Sequence, residues 1–212
     1  LAQLTSLFSA EFAIRPFILQ HHELTFEHLH DWCESSDYHL RRLVSEGTRP
    51  RLPWGQQLPK FISDPAPILP LLEKLNADPQ DYVRRSVANN LNDISKDHPQ
   101  QVLATCARWL QQPAGETEWI VRHATRTLVK KGVPEVFVLL GYTAKPQLDT
   151  RLIVANDTLK VGDNLDFNIQ LQSTAQQPQK LMIDYAVHFM KANGQQNAKV
   201  FKLKSLELAP GE

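Results

Sequence analysis

Up to about residue 145 the apolar positions recur at the three-and-four spacing of helices, and prolines fall between the runs. Beyond that point strict alternation and turn signals take over. The change predicts two domains, a helical one over 1–145 and a β-rich one over 146–212. Helices are expected from about Leu4 to Leu19 with an interruption at Pro16, and then over Thr25–Cys33, Ser35–Gly47, Trp54–Ile62, Ile68–Asn76, Pro79–Ser95 and Pro99–Gln111. Ser35, Ser36 and Asp37 supply capping oxygens for the third of these, and Gly47 reads as its C′ residue. Asp64-Pro65 and Asp78-Pro79 read as an acid at the N-cap followed by proline in the first turn.

The helical part repeats itself. Leu40-Arg41-Arg42-Leu43, Val83-Arg84-Arg85-Ser86 and Val121-Arg122-His123-Ala124 each sit early in a helix, preceded by Asp37-Tyr38, Asp81-Tyr82 and Glu118-Trp119. A period of roughly 40 residues with two or more helices per unit is that of HEAT-like α-solenoids, whose units bury their apolar stripes only by stacking. Strands follow over Arg151–Ala155, Asn164–Gln172, Lys180–Lys191 and Lys199–Leu208, with Asn193-Gly194 as a hairpin turn between the last pair. In the second strand Asp166, Asn168 and Gln170 alternate with Phe167, Ile169 and Leu171. Short antiparallel strands of this kind suggest an immunoglobulin-like sandwich, incomplete because too few strands are present to close two sheets. The fold class is therefore mainly α, a solenoid followed by a small β domain.

Composition narrows the function classes. The 42% of apolar residues suffices for a core, and no run reaches the length of a membrane span. With no secretory leader pattern, the chain reads as a cytoplasmic protein with no membrane association. The start at Leu1 and the turn-like Pro210-Gly211-Glu212 at the end suggest a fragment. Two cysteines, Cys33 and Cys106, stand far apart and read as buried free thiols. Formal charge is zero, which argues against coating nucleic acid by bulk electrostatics but allows a local basic face.

Such a face is implied by the repeat. Arg41, Arg42, Arg84, Arg85, Arg122, Arg126, Lys130 and Lys131 lie on the equivalent helices, which in a solenoid line one surface. They either track phosphates or, for the first arginine of each pair, bind an acid of the next repeat. Arg49 and Arg51 add charge on a proline-stiffened turn, Arg49-Pro50-Arg51-Leu52-Pro53, that delivers Trp54. A tryptophan there more often packs between repeats than serves as a platform. Glu46 falls four residues after Arg42, so locally it is half of a surface ion pair. Asp93 lies near a helix end where the macrodipole disfavours a carboxylate, which implies that something outside the helix holds it. Glu11 is an ordinary first-turn acid. The histidines between positions 21 and 30 share no helical face, so no metal site is expected. Clustered glycines and a Gly-x-Ser-x-Gly elbow are absent, so no nucleotide cofactor or serine hydrolase chemistry is expected.

Three long stretches resemble the AlkC family of bacterial DNA alkylation repair glycosylases. They are Glu11-Phe12-Ala13-Ile14-Arg15-Pro16-Phe17, the run Arg41 to Trp54, and Val83 to Pro99. One subgroup of that family carries an immunoglobulin-like domain after its HEAT-like repeats, so the resemblance extends over most of the chain. Leu40 and Val44 depart from the commoner valine and alanine, and the family has further helices before Leu1 and more strand after Glu212. The resemblance implies excision of cationic N3-alkylated bases from double-stranded DNA, chiefly 3-methyladenine, with 3-methylcytosine as a second candidate. It implies no cofactor, a monomer, and a nucleoid-associated location in a bacterial cytoplasm. It assigns catalytic roles to Glu46, Asp93 and Glu11, a lesion-facing role to Trp54, and DNA contacts to Arg41, Arg42, Arg49, Arg51, Arg84, Arg85 and Arg122. The competing class is a non-catalytic HEAT scaffold that binds a protein or nucleic-acid partner and keeps its acids for pairing between repeats.

Overall fold

The computed structural model describes residues 1–212 apart from positions 157 and 161. The chain divides into two units, Leu1–Leu139 and Leu140–Glu212.

The first unit holds eleven helices among the described residues: α1 (Ala2–Leu7), α2 (Arg15–Gln20), α3 (His22–Trp32), α4 (Tyr38–Gly47), α5 (Pro59–Ser63), α6 (Leu69–Leu75), α7 (Asp81–Ile94), α8 (Pro99–Gln111), α9 (Thr117–Ala124), α10 (Arg126–Lys130) and α11 (Pro134–Leu139). The repeated helices α4, α7 and α9 pack side by side in that order. Val83, Val87, Leu91 and Ile94 form the buried stripe of α7, while Leu43 and Val44 on α4 and Ile120, Val121 and Ala124 on α9 fill its flanks. Each such aliphatic burial contributes about 1.5–3 kcal/mol. This is HEAT-like stacking, in which no helix pair could close a core alone.

Several expected boundaries move, each for a local reason. The first expected helix breaks over residues 8–14 rather than at Pro16, because proline fits the first turn of α2, where its missing N–H costs nothing. The helix expected from Trp54 starts only at Pro59; residues 51–58 are turn and irregular backbone, with Trp54 at φ 60°. Asp64 and Asp78 do not cap helices directly. Their Oδ1 atoms accept from Ala66 N at 3.0 Å and Gln80 N at 2.9 Å, closing side-chain turns that lead into α6 and α7. Asp37 does cap α4, accepting from His39 N at 2.8 Å.

Gly47 is the last residue of α4 rather than a left-handed residue beyond it, so its lack of a side chain answers a different need. A Cβ there would lie 2.6 Å from Ile14 Cγ2. The glycine lets the start of α2 approach the end of α4. Gly47→Ala must push Ile14 back, and is expected to cost about 1–3 kcal/mol as overpacking does in filled cores; urea unfolding with no loss would refute this reason for the glycine.

The second unit begins ahead of the composition change because Tyr142 and Thr143 already belong to its hydrogen bonding. Thr143 N donates to Lys180 O at 2.9 Å, and Tyr142 Oη lies 3.1 Å from Ser205 Oγ. Its strands are β1 (Leu148–Val154), β2 (Phe167–Ser173), β3 (Gln179–Met190) and β4 (Gln196–Leu208). β1 pairs antiparallel with β2, from Leu148 opposite Ser173 to Val154 opposite Phe167. β3 pairs antiparallel with β4, from Gln179 opposite Leu208 to Met190 opposite Gln196, with a register shift at Ile183/Asp184. The turn between β3 and β4 falls where expected, with Gly194 at φ 77°. Gln179 ties the sheets together at their ends: its Nε2 donates to Gln147 O at 2.9 Å and Ser173 Oγ at 2.8 Å, and its Oε1 accepts from Gln147 N at 2.7 Å.

Candidate active site

The polar residues of α7 at Tyr82, Arg85, Ser86, Asn89 and Asp93 share one helical face, opposite its apolar stripe. Against it lie the last turn of α4 and the loop that follows. Glu46, 6% exposed, accepts from Ser86 Oγ at 2.7 Å through Oε2 and from Arg49 Nη1 at 2.8 Å through Oε1. Asp93, 1% exposed, accepts from Arg49 Nε at 2.8 Å and from Lys96 Nζ at 2.8 Å. One guanidinium thus bridges the two carboxylates, and two cations hold Asp93 against the helix dipole. Arg42 approaches Glu46 only to 3.7 Å, so the i,i+4 pair is the weaker of the glutamate's two ion pairs. Its Nη1 instead reaches Glu11 Oε2 at 3.1 Å, together with Ser9 Oγ. Glu11, Glu46 and Asp93 therefore join in one network, linked through Arg42 and Arg49.

Behind the network sits a residue that pattern reading overlooked. Arg15 is fully buried, and it donates to three backbone carbonyls: Gly47 O at 2.9 Å, Arg49 O at 2.9 Å, and Gln56 O. Burial, and next the neighbouring Arg49 charge, push its guanidinium down to about 10, while Asp93 and Glu46 act in the opposite sense. For Arg49, burial is the largest influence and lowers the pKa, but Glu46 and Asp93 together outweigh it and leave the shift upward. A signal for Arg15 was available in the sequence, a lone cation inside the apolar run Phe12–Phe17.

The other arginines divide by what they touch. Arg41 donates to both oxygens of Asp78, at 2.6 and 3.1 Å, and to Ser35 O at 2.7 Å. Arg84 donates to Asp78 O at 2.7 Å and Pro79 O at 2.9 Å. Arg41 thereby ties one repeat to the next, the second of the alternatives open for the first arginine of each pair, whereas Arg84 braces the turn that leads into its own helix. Arg51 makes a bidentate pair with Asp97, at 2.8 Å for each bond. Arg42 lies over the Tyr82 ring at 4.8 Å and Arg85 over the Trp119 ring at 5.4 Å. His123 stacks on Trp119 at 4.9 Å, and its Nε2 lies 3.0 Å from Asn89 Oδ1, which also accepts from Arg126 Nη2 at 2.9 Å. Because that oxygen can only accept, the Nε2 position carries the proton. Burial first, then Arg126 and Arg85, hold the His123 pKa below its ordinary value, so the ring is neutral near pH 7. Arg122 is exposed on the same helix as His123.

Trp54 stands apart from this network. It is wholly exposed at 101% and adopts φ 60°, a left-handed backbone that costs an aromatic residue about 1–3 kcal/mol. It does not pack between repeats. The thiols of Cys33 and Cys106 are buried, which pushes them up to about 11 and about 12. Among the described residues no histidine, cysteine and carboxylate cluster could hold a metal ion. His22 and His30 lie against the ring of Phe26, and His28 stacks on Trp32. No helix of the described residues is long and apolar enough to cross a membrane.

A family model for the DNA alkylation repair enzyme matches residues 8–128, more than half of the chain. The chain belongs to the DNA alkylation repair enzyme family. The family match contains every residue of the carboxylate network and all of α4, α7 and α9. A second model, the C-terminal Ig-like domain of the uncharacterised protein YhaZ, matches residues 149–212. The uncharacterised protein YhaZ of Bacillus subtilis is 42% identical over 213 residues, covering 100% of this chain and 59% of its own length. Among solved structures, alkylpurine DNA glycosylase AlkC of Pseudomonas fluorescens, bound to DNA containing an abasic site analog, superposes with a TM-score of 0.90 at 44% identity. That match covers 98% of this chain and 58% of the other. The chain thus spans just under six-tenths of the length of these relatives.

Proposed function

We propose that this family member is a DNA glycosylase that excises cationic N3-alkylated bases, 3-methyladenine first and 3-methylcytosine second, from double-stranded DNA. The observation that carries the reading is the pair of buried carboxylates, Glu46 and Asp93, held on adjacent repeats by one arginine. An alkylpurine DNA glycosylase of the same fold, solved bound to DNA containing an abasic site analog, supports the substrate class.

The chemistry suits such a site. A base alkylated at N3 carries a positive charge and leaves as a neutral molecule, so little acid assistance is required. The N-glycosidic bond breaks, the sugar becomes cationic, and water forms the new bond at the anomeric carbon. Fixed carboxylates beside the sugar favour that transition state over the ground state. Glu46 and Asp93 stabilise the sugar cation and orient the water, and one of them takes its proton; Glu11 adds negative charge through Arg42. Trp54 offers its ring to the cationic base, a preference of about 0.5–2 kcal/mol over a neutral one. Its strained, exposed placement has no packing purpose, which supports that role.

Buried acids beside DNA repel phosphates, and the cations of the same face offset this. Arg42, Arg49, Arg51, Arg85 and Arg122 contact the backbone and set the register of the duplex. Arg41 acts behind them by keeping two repeats aligned, and Arg84 by bracing the start of α7. Lys96, whose side chain is 37% exposed, can exchange Asp93 for a phosphate. The protein works as a monomer without a cofactor, and as a DNA-bound enzyme it is a cytoplasmic, nucleoid-associated protein. Incubation with N-methylated duplex DNA, followed by chromatography of the freed bases, tests the reading. Release of 3-methyladenine above the spontaneous rate is expected; release at the spontaneous rate alone would leave a DNA- or protein-binding scaffold.

A further inference from the structure

A fully buried arginine whose hydrogen-bond partners are all neutral is expensive, since a charge taken out of water is ordinarily compensated by an opposite one. Among the described residues Arg15 has only backbone carbonyls within hydrogen-bonding distance, and the carboxylates that favour its charge, Asp93 and Glu46, act from further away. The three carbonyls belong to Gly47, Arg49 and Gln56, at the end of α4 and on both sides of the turn that carries Arg49, Arg51 and Trp54. A planar guanidinium can reach three separated acceptors at fixed angles; an ammonium on a flexible stem cannot.

We infer that Arg15 is a positioning residue for the proposed reaction: it clamps segment 47–56 so that Arg49 spans Glu46 and Asp93 and Trp54 is presented in its strained, exposed conformation. This rests on the glycosylase reading for its effect on rate, but not for its effect on the segment. The geometry supports the clamp from two sides. Gly47 is bare where Ile14, the neighbour of Arg15, presses against it, so the same close approach that excludes a Cβ brings the guanidinium to the Gly47 carbonyl. Leu58 N donates to Pro50 O at 3.1 Å, closing the segment's far end into a loop, and Arg15 holds carbonyls at both ends of it, Arg49 O and Gln56 O. A group serving only the apolar core would need no such set of acceptors on a single loop.

The test compares wild type with Arg15→Lys and Arg15→Met. Both should slow single-turnover release of 3-methyladenine, by about 10- to 100-fold, the scale of a misplacement near 1 Å. Affinity for undamaged duplex should change by no more than about threefold, because Arg42, Arg85 and Arg122, which lie outside the segment, keep their phosphate contacts. Trypsin cleavage after Arg51 should accelerate in both variants as the segment loosens. Should Arg15→Met fail to fold, Arg15→Lys carries the comparison. Wild-type release with unchanged trypsin resistance in Arg15→Lys would overturn the inference, as would a loss of DNA affinity in step with rate. If wild type itself releases no base, the glycosylase reading falls, and trypsin resistance alone then decides whether Arg15 clamps the segment.

Discussion

Glu46→Gln is expected to lower the single-turnover rate of 3-methyladenine release by about 100- to 1,000-fold, the range found when one preorganised electrostatic group is removed from an active site. The replacement is isosteric, and Ser86 Oγ can still donate to the remaining side-chain oxygen across its 2.7 Å contact. Arg49 keeps its bond to Asp93, so the loop and both repeats stay in place. What disappears is a negative charge beside the sugar, which matters little before the base departs and most when the sugar is cationic. DNA binding should therefore survive while the rate collapses. Combining it with Asp93→Asn should cost less than the product of the single losses, because the two carboxylates share one guanidinium and serve one charge. Full activity in Glu46→Gln, with DNA binding intact, would remove Glu46 from the reaction.

Arg49→Met is expected to be the most destabilising change at the site, by about 3 kcal/mol in urea unfolding at neutral pH, the low end of the cost of breaking a buried pair. Among the described residues, Arg49 is the only cation within hydrogen-bonding distance of both buried carboxylates. Without it, Glu46 keeps Ser86 and the distant Arg42, and Asp93 keeps Lys96. Those remaining partners are why the low end applies. A methionine fills most of the volume, so the loss reports charge rather than a cavity. The second variant Glu46→Gln/Asp93→Asn/Arg49→Met removes the charges together and should recover much of the stability, since replacing a whole buried ionic group is far milder than orphaning one partner. No destabilisation in Arg49→Met would mean that the carboxylates do not depend on it.

The helical pattern, the repeat and the strand alternation were legible because each depends on spacing within one element. The stripe of Val83, Val87 and Leu91 and the alternation of Phe167, Ile169 and Leu171 are periods that any buried face must show. The site was legible in its residue types but not in its pairings. Local spacing assigned Glu46 to Arg42, whereas its closest cation is Arg49 on the loop beyond the helix, which reaches Asp93 from a different repeat. Arg41 and Arg84 carried the same signal as Arg42 and Arg85, yet Arg41 turns into the seam toward Asp78, Arg84 folds back onto the carbonyls ahead of its own helix, and the second two lie over aromatic rings on the polar face. A shift of one position on a helix rotates a side chain by about 100°, and only the packing of the next repeat says which rotation faces solvent.

By itself, then, the sequence determined that repeated amphipathic helices would stack and be followed by a strand-rich module, and which carboxylates, guanidiniums and tryptophan were available. The tertiary structure alone decided that Glu46 and Asp93 share Arg49, that Arg15 lies buried among the carbonyls of that same loop, and that Trp54 is left exposed. Element formation follows from periods a few residues long. Ion pairing in a low-dielectric interior depends on which groups thirty to fifty residues apart are brought within about 3 Å, and no local pattern encodes that distance.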